Sequence, residues 1–179
     1  MKTKMFLLLA SVALFSGCDK LKDATTVPID TNLKADIPVV VVAPTKKSAG
    51  QADAVTAITF TKSQDLTLAS NTDIAPYLSK IKSIDLNTLV ITITGLSAGQ
   101  TINSIALDVT GVGNVFTQTN ITSANGIFTP VISASILDAV AAKLTSDKKI
   151  TLTLSGNTSG PMTFTASLNL GVTVTAGVL

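Results

Sequence analysis

A chain of 179 residues holding 13 lysines and 11 aspartates, a single cysteine, and no arginine, glutamate, histidine or tryptophan can build one ordinary domain but few kinds of active site. The missing histidine excludes a His-dependent triad and a zinc site of the usual nitrogen and sulfur ligands. The formal charge of +2 belongs to Lys2 and Lys4; the other 11 lysines balance the 11 aspartates, so there is no electrostatic case for nucleic acid as a partner.

In chain order, Lys2 and Lys4 precede an apolar run from Met5 to Phe15, and Ser16 and Gly17 are the small residues a peptidase requires before a cleavage point. Those eleven residues, ten of them apolar, fall short of the roughly 20 of a membrane-spanning helix. The string Phe15-Ser16-Gly17-Cys18 resembles the lipobox of bacterial lipoprotein precursors, with Phe15 in place of the usual leucine. That resemblance implies cleavage between Gly17 and Cys18, a diacylglycerol on the Cys18 sulfur, and acylation of the freed amine. It also takes the only thiol out of reach of nucleophilic chemistry. Two or more acyl chains anchor stably where one holds only marginally. Residues 1–17 are therefore expected to be a signal peptide, 18–23 the lipidated cysteine and a short charged tether, and 24–179 a single domain.

From Ala24 the pattern is that of β-strands. Val27 and Ile29 alternate with polar neighbours, and Ile37 to Val42 is an apolar run broken only by Pro38, as in a strand covered on both faces or at a sheet edge. Pro44 to Asp53 reads as a loop, and Thr56, Ile58 and Phe60 open a second strand. Ser70-Asn71-Thr72-Asp73 offers caps for a short helix carrying Ile74, Leu78 and Ile81 at helical spacing, with Pro76 in its early turn. In the following strand the apolar positions 84 and 86 give way to 89, 91 and 93. That slip of phase at Asn87-Thr88 predicts a β-bulge.

Gly95 to Gln100 is expected to turn the chain into a hairpin whose returning strand carries Ile105, Leu107 and Val109. After a turn at Gly111 to Asn114, Val115 to Thr119 and Gly126 to Ile132 are shorter strands. Ile136, Leu137, Val140 and Leu144 then share one face of an amphipathic helix, with Ser135 as its cap, Asp138 three residues on, and Lys143 placed for the C-terminal dipole. Ile150, Leu152 and Leu154 form a strand closed by Gly156 to Pro161. Last comes Met162 to Val178, alternating throughout; a strand so long must bend, with Gly171 the place to do it, or span two sheets.

These elements predict a mainly β protein: an antiparallel β-sandwich, Ig-like or related, with one amphipathic helix and one short helix. A membrane barrel would need an aromatic girdle and strands of uniform length, and has no use for the helix. The tethering cysteine, the early apolar strand, and Ser70-Asn71-Thr72-Asp73 to Lys80-Ile81-Lys82-Ser83 feeding Leu89-Val90-Ile91-Thr92-Ile93 together resemble small bacterial envelope lipoproteins of β-sandwich type. That resemblance implies a fold and an address but supplies no site residues.

The expected address is the cell envelope, lipid-anchored at the outer membrane on its periplasmic face. Asp19, beside the cysteine, resembles an inner-membrane retention signal and leaves the choice of membrane open. The expected partners are the bilayer, through the acyl chains on Cys18, and an envelope protein. No enzyme activity, cofactor or metal is expected. A Ser-x-x-Lys string at Ser146 to Lys149 lacks the companion motifs of acyl-transferring enzymes and reads as coincidence. Catalysis would require at least two of Asp65, Asp73, Asp85 and Asp108 to converge on a cleft. Two further roles are open: carriage of an apolar ligand such as a lipid between the sheets, and donation of the last strand to a neighbouring subunit in a surface polymer. Strand-donating lipoprotein pilins resemble this layout, but in known cases are activated by cleavage after arginine, which this chain lacks.

Overall fold

The computed structural model describes residues 25–43 and 57–177; the leader, Cys18, the tether and the 44–53 loop lie outside them. Eight strands form two antiparallel sheets: β1 (Thr26–Val41), β2 (Ile58–Thr67), β3 (Ile81–Thr94), β4 (Ile102–Val109), β5 (Gly113–Ile121), β6 (Ile127–Phe128), β7 (Lys149–Thr158) and β8 (Met162–Gly177). One sheet has the order β1-β8-β3-β6 and the other β2-β7-β4-β5. Every connection except the β4–β5 turn therefore carries the chain from one sheet to the other. The expected sandwich is present, and its strand order is that of a jelly roll rather than of an immunoglobulin domain.

Alternation in sequence becomes alternation in burial. In β8 all eight even-numbered residues from Met162 to Ala176 are buried, and they face Phe60, Leu66, Ile105, Leu107, Leu152 and Leu154 of the second sheet. Two edge-to-face aromatic pairs cross between the sheets, Phe60 with Phe164 at 5.4 Å and Phe116 with Phe128 at 6.1 Å between ring centres. β8 stays in one sheet throughout, paired with β1 on one side from Thr26↔Gly177 to Val41↔Met162 and with β3 on the other. Of the two courses its length allowed, it does not take the crossing between sheets. The bulge lies where the phase slips: Leu86 pairs with Val172 and Thr88 with Gly171, leaving Asn87 as the extra residue. A Cβ on Gly171 would come within 2.5 Å of the Thr88 hydroxyl, so the glycine accommodates the bulge.

The β1 and β2 edges are blunted. β1 carries Pro28 and Pro38, neither able to donate to a further strand, and Ile37, Val39 and Val41 are buried while Val40 is exposed, as for an edge strand. On β2 the exposed Lys62 and Gln64 occupy the parity of the inward-facing Phe60 and Leu66.

Three expectations are corrected. The chain after Gly95–Gln100 does not return beside β3: β4 pairs with β7 and β5 in the opposite sheet, and the hairpin is β4–β5. The short helix is a six-residue 3-10 turn, Ala75–Lys80, preceded by another at Leu68–Ser70. Ile81, expected as its third apolar anchor, instead begins β3. The amphipathic helix α1 spans Ala134–Asp147, with Ser133 rather than Ser135 at its cap position and no side-chain capping bond. Lys143 there pairs with Asp147 at 2.8 Å instead of serving the helix dipole. Leu137 and Val140 of α1 pack beside Leu86 and Leu89 of β3, where the two-residue β6 leaves the side of the sandwich uncovered.

Candidate functional site

The four aspartates that could have formed a catalytic cluster go to separate places. Asp65, on the outer face of β2, accepts a 2.6 Å hydrogen bond from Thr151 and lies 3.4 Å from the Lys149 ammonium. The Thr151 hydrogen bond, followed by the Lys149 charge, lowers its pKa below the usual carboxylate value. Asp73 accepts from Thr31 at 2.8 Å, Asp85 is exposed on β3, and Asp108 sits on β4 beside the β4–β5 turn. Asp65, Asp85 and Asp108 lie within strands and Asp73 in the turn between the two 3-10 segments. Among the described residues no group of three or more acidic, histidine or cysteine side chains could hold a metal ion. Ser146 and Lys149 do not share a helix face: the Ser146 hydroxyl donates to Asp147 at 2.6 Å in the last turn of α1, the helix ends at Lys148 in the left-handed conformation, and Lys149 opens β7.

Among the described residues, the apolar space between the sheets is small. Between the sheets, under α1, Leu89, Leu107, Val115, Val140, Ile150 and Leu170 are among the residues enclosing a wholly apolar space of about 20 Å³. A single water would fill that volume, and no polar atom there would hold one.

The larger concavity is a cleft of about 220 Å³ beside the free edge of β1, lined by Asn32, Leu33, Lys34, Leu66 and Ser70 to Thr72. Its central polar group serves the fold. The Asn71 amide donates to the Asn32 carbonyl at 3.0 Å and to the Thr31 hydroxyl at 3.2 Å, while its oxygen accepts from the backbone N–H groups of Asp73 and Ile74. Ser70 donates to the Thr67 carbonyl at 2.7 Å. Asn71 therefore pins the β2–β3 connection to β1. Of the polar lining side chains, those of Asn32, Lys34 and Thr72 remain without a hydrogen-bond partner among the described residues.

The two ends of the sandwich differ more clearly than any pocket. At one end lie the start of β1, the last described residue of β8, the 68–80 connection, the β4–β5 turn and the junction of α1 with β7, tied together where the Leu68 N–H donates to the Lys148 carbonyl at 2.9 Å. At the other end are the connections 95–101, 122–126 and 159–161, which contain no charged residue; the fourth connection, carrying Lys46, Lys47 and Asp53, lies outside the described residues. Cys18 and Gly17, the predicted lipidation and cleavage residues, also lie outside them. None of the described helices is long and apolar enough to cross a membrane.

No protein-family model matches the chain. No curated protein matches it. Among solved structures it is similar to one described as Desmodium yellow mottle tymovirus, at 15% identity over 86% of this chain and 90% of the other, with a TM-score of 0.36. It is also similar to the decameric BFDV capsid protein, at 9% identity over 83% and 99% of the two chains, with a TM-score of 0.37. Likeness at these values carries no functional argument.

Proposed function

We propose that this chain is an envelope lipoprotein, anchored through acyl chains on Cys18, that works as a binding or accessory module rather than as a catalyst. The observation that carries the anchoring is the Phe15-Ser16-Gly17-Cys18 string behind a basic and then apolar leader. The dispersal of Asp65, Asp73, Asp85 and Asp108 over separate ladders and turns supports the non-catalytic part. The nearly filled interior favours surface contact over carriage of a lipid between the sheets, and the pairing of β8 on both sides favours a self-contained domain over a strand donor.

Intact-mass analysis and membrane fractionation of the wild type and of Cys18→Ser test the anchor. The wild type is expected in the membrane fraction with the mass of a chain beginning at Cys18 plus its acyl groups, and the variant in neither state; a soluble, unacylated wild type overturns the proposal. Crosslinking in the intact envelope, with the mature protein as bait, then tests for the protein partner.

A further inference from the structure

Lipidation at Cys18, as proposed above, would attach the bilayer to one particular end of the sandwich. Residues 19–25 separate the lipid from Thr26 and reach at most about 25 Å when fully extended. Thr26 pairs with Gly177, and Ile81 pairs with Ala176 beside it, so the tether leaves from the end holding the 68–80 connection and the β4–β5 turn. β1 then runs 16 residues in one direction, about 50 Å, before reaching the opposite end.

We infer that the protein stands with the 68–80 and 110–112 segments against the phospholipid headgroups and presents the 95–101, 122–126 and 159–161 connections away from the membrane. The lysines and the tyrosine of the near end fit a headgroup layer, while Asp73 of the same connection is held by Thr31 at 2.8 Å. Lys80 and Lys82 are exposed beside the tether's exit, with no carboxylate partner among the described residues, and the half-buried Tyr77 lies in the same connection. Lysine and tyrosine suit a headgroup layer, where a charge or a phenol stays hydrated above apolar chains. The 95–101, 122–126 and 159–161 connections contain only Gly, Ala, Leu, Pro, Ser, Thr, Asn and Gln. An envelope partner reaching these three connections from across the compartment would therefore meet small, uncharged polar side chains.

The test uses the full lipidated chain in vesicles of phosphatidylethanolamine and phosphatidylglycerol containing an acceptor-labelled lipid. Acylated Cys18 offers no free thiol, so single cysteines take the donor dye cleanly. Ser79→Cys and Thr110→Cys mark the near end, and Ala98→Cys and Ser123→Cys the far end; all four sites are exposed, and two at each end guard against one that misfolds. Energy transfer to the lipid acceptor is expected to be several-fold higher from both near sites than from both far sites. Equal or reversed transfer, in samples whose mass confirms acylation, overturns the orientation and leaves the anchor standing. Samples lacking acyl mass overturn the anchor and the orientation together.

Discussion

Gly156 has neighbours that no side chain could tolerate. It lies inside β7 opposite Phe60 of β2 and Ile105 of β4, and a Cβ there would overlap the Ser104 carbonyl oxygen while pressing on the Phe60 ring. One of those neighbours is backbone and cannot rotate away. Gly156→Ala is expected to lower stability by about 1–3 kcal/mol through overpacking, seen as an earlier midpoint in urea with an unchanged slope. Read from the sequence, this glycine ends a strand; what it does is admit the close approach of β4 and the Phe60 ring, and nothing in the local pattern separates those roles. Asp65 gives a second prediction at this scale. Its folded-state pKa is lowered, so its pairing favours the fold above the unfolded value near ~4 and that contribution is lost as pH falls through the lower folded value. Thr151→Val removes the leading cause, and a carboxyl-carbon NMR titration should show the Asp65 midpoint moving up.

Among the elements, β3 shows how much strand geometry can be legible in a sequence. The phase slip at Asn87-Thr88 is a bulge because Leu86 and Leu89 must both face the core although three residues apart. Deleting Asn87 would leave Leu86 and Thr88 adjacent and still opposite Val172 and Gly171, so the strand should remain in phase and lose chiefly the 3.0 Å hydrogen bond from Asn87 to Thr173. Deleting Leu86 instead would draw Asn87 inward opposite Val172. That variant is expected to lose roughly 3 kcal/mol or more, through a missing leucine and a poorly satisfied amide, and parallel thermal melts of the two deletions should separate them widely. Sheet membership was harder to read. Strands of both sheets alternate in the same way, so Ile105, Leu107 and Val109 look alike whether β4 returns beside β3 or crosses over to β7. The short helix failed for a different reason: Asn71 accepts the first N–H groups and Ile81 is taken by β3, leaving too few residues for α-helical turns.

For the whole molecule, the alternation in β8 and the Thr-rich outer faces made the sandwich legible, whereas the jelly-roll order depends on long-range pairing that no window of sequence contains. The same is true of the candidate surfaces. The end of the domain from which the proposed anchor would lead depends on such a pairing too, that of Thr26 with Gly177. That adjacency matters for how the chain can be rewired. A short linker from Gly177 to Thr26 would close the polypeptide into a ring, and a new opening at Ala98-Gly99, in an exposed turn between the two sheets, would cut no paired strand. Such a circular permutant is expected to fold cooperatively with a melting temperature near that of the unpermuted domain. If a lipobox leader were placed before Gly99, the acyl anchor would be attached to the opposite end of an unchanged fold. An envelope partner that reads the outward loops should then fail to engage, although the protein remains intact, abundant and bound to its membrane.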